Sequence, residues 1–139
     1  MTSESPQWEF QMNDKTKYWS DLSHYDMKTA EAMLESRRYL YVGFMAHQAI
    51  EKILKAYLVH TYATSPPYSH SLSLLAKESN IYNNFSTEQK EFVDLLEPLN
   101  IEARYPTHKE KLLKSLTHDR CTDILLSAKE LQEWIIQQF

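Results

Sequence analysis

Glycine is almost missing from this 139-residue chain: Gly43 is its only one, where average usage of about 7% gives roughly ten. Phosphate-cradling loops of the G-x-G-x-x-G or G-x-x-x-x-G-K-[ST] type need several residues without Cβ, so none can be written here. Tightly turned β-sandwiches are disfavoured for the same reason, because hairpin turns with positive φ draw on glycine. Cysteine is as scarce. Cys121 stands alone, which leaves no disulfide framework and no C-x-x-C motif. The longest apolar run, Tyr39 to Ala46, falls far short of the roughly 18 residues that span a bilayer. The start of the chain carries Glu4 and Glu9 and no basic region, unlike a secretory signal. These absences predict a soluble, cytoplasmic protein with no membrane association, built from helices.

What is present suits that reading. The chain is 42% hydrophobic and 24% charged, enough for one domain with a real core. Net charge is −4, but it is unevenly spread. Residues 37–60 hold four basic and one acidic side chain, and residues 102–120 hold five and three. The other segments are net acidic. Two net-positive stretches brought together by folding would make a basic groove on an acidic body.

Periodicity predicts an all-α fold, an up-and-down bundle of about five helices over 13–139, after a poorly ordered lead-in at 1–12. Asn13 is a candidate N-cap for a first helix with Trp19, Leu22, Ala30, Met33 and Leu34 as its apolar stripe. Asp26 interrupts that stripe, and a core-facing carboxylate needs a partner. The second helix, about Tyr39 to His60, carries Val42, Ala46, Ala49, Ile53 and Ala56, with Gly43, Ile50, Leu54 and Tyr57 beside them. So wide an apolar face belongs at the centre of a bundle. Inside such a helix Gly43 reads as a point of close helix approach. Ser65-Pro66-Pro67 ends the helix, and a short helix over about 69–78 follows. Ser86 and Gln89 match a capping box opening a helix with Phe92, Leu95, Leu96 and Leu99 on one side, which Pro98 should kink or end. After a basic stretch around Lys109 to Lys114, Thr117 caps a last helix with Cys121, Ile124, Ala128, Leu131 and Ile135 inward. The aromatic set Tyr39, Tyr41 and Phe44 fits the core by default, with a dimer seam as the alternative.

Chemistry is narrower. His24, His47, His60, His70, His108 and His118 show no compact ligand spacing and no H-E-x-x-H, so no metal and no cofactor are expected. There is no G-x-S-x-G elbow. Arg104 and His108 lie four apart at a loop-to-helix junction, with Pro106 suited to the first helical position. An arginine there can grip a phosphate, and a histidine can move a proton near neutral pH. That pair is the minimum equipment for metal-free RNA cleavage. The structural alternative pairs Arg104 with a helix carboxylate such as Asp26 and leaves His108 solvated.

Trp19, Asp26 and Ala30, the run Gln48-Ala49-Ile50-Glu51-Lys52-Ile53-Leu54-Lys55-Ala56, then His70-Ser71-Leu72, Ala103-Arg104-Tyr105-Pro106 and the closing Trp134-Ile135 together resemble the HEPN domain (higher eukaryotes and prokaryotes nucleotide-binding). The resemblance spans about 19–136. It implies a helical bundle, usually a symmetric homodimer, often paired with a small nucleotidyltransferase as in toxin–antitoxin systems. It also implies nucleotide or RNA binding, with Arg104, Lys52 and Lys109 as contacts. Asp26, Glu51, Lys52 and Arg104 would form a polar cluster at the groove floor. Many such proteins are metal-independent ribonucleases, which would make Arg104 and His108 catalytic. The family signature separates Arg and His by four to six residues, whereas three lie between Arg104 and His108. A non-catalytic protein-interaction module is the third reading.

Overall fold

The computed structural model describes residues 13–139, apart from the side chains of Glu102, Pro106, Thr107, His108, Lys109 and Leu112; the lead-in expected over 1–12 lies outside the described residues. Six α-helices follow in order: α1 Asp14–Glu35, α2 Tyr39–Tyr62, α3 Leu72–Glu78, α4 Thr87–Glu102, α5 Pro106–Ser115 and α6 His118–Ile136. A 3-10 turn, Tyr82–Asn84, precedes α4, and no strand occurs among the described residues.

Local chemistry sets the helix starts. Asn13 Oδ1 accepts the Thr16 N–H at 2.8 Å. Ser86 and Gln89 make both arms of the capping box, and Thr117 Oγ1 accepts the Arg120 N–H at 3.1 Å. Each satisfies a backbone donor that the first turn leaves without an intrahelical partner. Two boundaries differ from expectation. Pro98 does not end α4, which runs on to Glu102. Proline removes the bond to the carbonyl of residue 94, but Asp94 and Pro98 are both exposed, so water can serve that carbonyl. The basic stretch after Pro106 is a sixth helix, which begins where proline's fixed φ suits the first position.

Helix ends show how the chain manages without glycine. Arg37 (φ 62°), Ala63 (φ 51°) and Asn80 (φ 60°) take the left-handed conformation that glycine usually supplies at helix C-termini. After α1, the Arg38 N–H reaches back to the Met33 carbonyl at 2.8 Å, the longer bond of a Schellman-type ending.

α2 packs against each of the other five helices, most extensively against α1. Its predicted stripe is buried, with Tyr57 half-buried. The predicted α6 stripe is buried throughout, while in α4 Leu96 and Leu99 are buried and Leu95 faces outward. The face of α1 is a correction. Its buried residues are Thr16, Ser20, Ser23, Asp26, Met27 and Ala30, and Trp19, Leu22, Met33 and Leu34 lie only half inside. Small residues let the α1 and α2 backbones approach closely, and their polar atoms then need partners. Ser23 Oγ donates to the Ala49 carbonyl at 2.6 Å and accepts from Gln132 Nε2 at 2.9 Å, tying α1, α2 and α6 together.

Gly43 marks the closest approach of α2 and α4. A Cβ placed there would lie 2.6 Å from Leu99 Cδ1 and 3.4 Å from Leu99 Cβ. Its value here is the absence of a side chain, since its φ is not positive.

Candidate functional site

The turn of α2 beyond Gly43 carries polar residues on a helix buried nearly all round: His47, Gln48, Glu51, Lys52 and Lys55. Burying charge is costly unless it is paired, and two separate pairs form. Lys52 donates to Asp26 of α1. Glu51, only 3% exposed, accepts from Lys55 Nζ at 3.1 Å and lies 2.9 Å from His70 Nδ1 in the loop before α3. A third carboxylate, Glu97 of α4, accepts the Leu72 N–H and so fastens the start of α3.

His47 sits between these carboxylates without bonding either. Nδ1 is 3.9 Å from Glu51 Oε1 and Nε2 is 4.0 Å from Glu97 Oε1, both beyond hydrogen-bond reach. Neither ring nitrogen has a partner among the described residues. Burial pushes the imidazole down to about 4; Glu51 and the His70 backbone oppose that shift, and the charges of His70 and Arg104 add to it. His47 is therefore neutral at pH 7.

Arg104 stands in a different setting. α4 closes at Ala103, and the exposed Arg104 follows in the turn before α5. One guanidinium NH2 points at Asn100 Oδ1 (3.4 Å), an oxygen that also accepts from Gln48 Nε2 at 2.9 Å. The guanidinium carbon lies 5.4 Å from the centre of the half-buried Phe44 ring. Asn100 itself is buried. Among the described residues Arg104 has no carboxylate partner. Its neighbours are an amide and an aromatic face, which orient the cation without neutralising it.

The resemblance groups Asp26, Glu51, Lys52 and Arg104 in one cluster; the fold divides them. Asp26 pairs with Lys52, Glu51 with Lys55 and His70, and Arg104 with Asn100. The suggested Arg104–Asp26 pair does not form, because Asp26 already holds Lys52 in the α1–α2 seam. Lys52 is consequently not a free cation beside Arg104. Half of the basic side chains of residues 37–60 are taken up in this way, since Lys55 is 7% exposed and bound to Glu51, while Arg37 and Arg38 stay exposed. His108 and Lys109 lie in α5, but their side chains are outside the described residues. Sequence reasoning did not single out Asn100 or Glu97. Asn100 is four residues before Arg104, a spacing that puts both on one helix face, but nothing local pointed to Gln48. Tyr39 is half-buried against His118, at 5.9 Å between ring centres, and Tyr41 is exposed. Cys121 is buried far along the fold on α6, its thiol raised by burial, with Sγ 3.7 Å from the Tyr39 carbonyl.

No group of three or more His, Cys, Asp or Glu among the described residues could hold a metal ion. No described helix is long and apolar enough to cross a membrane.

Comparison with known proteins agrees with this architecture. The crystal structure of TT1696 from Thermus thermophilus is similar over 91% of this chain and 100% of that one, with a TM-score of 0.77 at 17% identity; at that identity the likeness shows the fold. No curated protein matches in sequence. The HEPN domain profile matches residues 16–138. That match takes in both the Glu51 seam and the Arg104 turn, and the chain belongs to the HEPN domain family.

Proposed function

We propose that this protein binds the phosphate groups of a nucleotide or RNA through Arg104, at the head of the basic helix α5. The observation that carries the reading is the uncompensated, oriented guanidinium. Arg104 is held by Asn100 and Phe44, and its remaining donors face no acid among the described residues. A guanidinium so placed offers two parallel N–H groups to an anion. Lys109, Lys111 and Lys114 follow on α5, and Lys109 is the next proposed contact. Fluorescence anisotropy of a labelled RNA oligonucleotide at low salt tests this. Wild type should bind with an affinity that falls as salt rises, and Arg104→Ala should weaken binding about tenfold, the size of one charged hydrogen bond. Absence of salt-dependent binding to both RNA and free nucleotide would overturn the reading.

The same preparation incubated with RNA in chelator separates binding from catalysis. If RNA is cut and His108→Ala abolishes cutting, Arg104 and His108 form a metal-independent ribonuclease pair. If RNA is bound intact, the protein is a binder.

A partner surface accompanies this site. Ile101 and Tyr105, near Arg104 in sequence, and Leu113 further along α5 are exposed apolar side chains, at 57%, 54% and 48%, of the kind that marks a contact surface when grouped. This supports a homodimer across α4 and α5, and a small nucleotidyltransferase is the partner that family membership suggests. Light scattering that reports only a 16.5 kDa species at micromolar concentration would count against the dimer.

A further inference from the structure

A cavity of about 390 Å³ opens between the first turn of α1 and the loop after α2, lined by Lys15, Trp19, Lys55, Ser65, Pro66, Pro67 and Tyr68. Its walls combine two kinds of group. Trp19, Tyr68 and the two prolyl rings offer flat apolar faces. Lys15 and Lys55 offer positive charge, and no carboxylate lines the cavity among the described residues.

Two features set it apart from a surface dimple. Lys55 is 7% exposed, and its ammonium sits 5.2 Å from the centre of the Trp19 ring. An ammonium has three N–H donors; among the described residues, Glu51 takes one of them at 3.1 Å. A buried cation with unspent donors therefore stands in the cavity wall. Tyr68, which also lines the cavity, is fully exposed at 109% and has no ring contact among the described residues. Lys15, at the mouth, has no ion pair among them either.

We propose that this cavity binds a small aromatic anion: a planar ring against Trp19, with its phosphate or carboxylate held by Lys15 and by the donors that Lys55 keeps beyond its bond to Glu51. The volume lies within the range of about 300–1,000 Å³ typical of small-molecule sites and is too small for a folded partner. The Trp19 face favours stacking, and the charged side chains of the described lining are both cationic, which selects the sign of the charge. The proposal is independent of the Arg104 reading, since none of the Arg104 neighbours lines this cavity.

The test uses the full chain and 1-naphthyl phosphate, followed by fluorescence titration. Saturable binding is expected, tighter than that of 1-naphthol, which lacks the charge, and of inorganic phosphate, which lacks the ring. Lys15→Ala and Tyr68→Ala alter exposed residues, so both should fold normally by circular dichroism, and each should weaken binding about three- to tenfold. The same two variants should bind the RNA oligonucleotide as wild type does, since neither residue adjoins Arg104. The proposal is overturned by absence of saturable binding or by unchanged affinity in both cavity variants.

Discussion

The interior of α2 and the turn after α4 use the same kinds of side chain to opposite ends. Along α2, Lys52 and Lys55 are enclosed and each meets a carboxylate, Asp26 or Glu51. At the α4–α5 turn, Arg104 is exposed and among the described residues meets an amide and a ring. A charge enclosed by the fold needs a carboxylate where it stands and so fixes helix register, although Lys55 keeps donors toward the cavity beside α1. A charge oriented by neutral groups remains available to an outside anion. Residue type alone does not separate the two; the partner does.

The largest effect expected from breaking this contrast is on the enclosed side. Glu51→Ala leaves Lys55 buried without its carboxylate, and loss of one member of a buried pair costs about 3–5 kcal/mol. Urea denaturation should show a loss of that size, while Arg104→Ala should change stability by less than about 1 kcal/mol. Equal losses in the two variants would erase the distinction.

Next in size is the effect of acid on His47. Its folded value is about 4 against an ordinary 6.5, so below pH 6.5 the unfolded chain binds a proton that the folded chain refuses. Stability contributed by the neutral imidazole is complete above pH 6.5. It declines by about 1.4 kcal/mol per pH unit as pH falls toward 4, about 3 kcal/mol in all. His47→Leu should flatten that part of the stability profile. Because both ring nitrogens lack partners, it should cost little at pH 7.

Gly43 links the two regions, since the close approach of α2 to α4 brings Gln48 within reach of Asn100. Gly43→Leu must displace Leu99, and overpacking of this kind costs about 1–3 kcal/mol. The displaced α4 should also weaken anion binding in the anisotropy assay, although residue 43 touches no ligand. Unchanged melting in this variant would refute the close-packing role of Gly43.

A smaller stability loss than that of Gly43→Leu is expected at Asn100→Leu. This change removes the oxygen shared by Gln48 and Arg104 and should cost about 1–2 kcal/mol in urea. RNA affinity should fall toward that of Arg104→Ala. An Asn100 variant that binds RNA like wild type would mean that Phe44 alone orients the guanidinium.

Much of the architecture was legible because it depends on neighbours in sequence. The N-caps at Asn13, Ser86 and Thr117, the broad apolar face of α2 and the inner stripe of α6 are local patterns, and each appears in the fold as read. The α1 face misled because its buried positions are small and polar. Thr16, Ser20 and Ser23 carry no apolar signal, whereas the half-buried Trp19 and Leu22 carry a strong one. The candidate site was legible only in part. Arg104 stood out by residue type and by its A-R-Y-P context, but its supports did not: Gln48 lies 52 residues from Asn100, and no spacing rule reaches that far.

By itself the sequence determined that this protein is helical, where most of its helices begin, that no glycine loop can hold a phosphate, and which residues make the HEPN resemblance. These follow from backbone sterics, caps and side-chain periodicity, which act over a few residues. Only the tertiary structure decided which charge each cation meets. Asp26 took Lys52, Glu51 took Lys55 and His70, and Arg104 met no carboxylate among the described residues. Such pairings depend on how closely whole helices approach, and that distance is set by small residues such as Gly43 and Ser23 acting across the bundle.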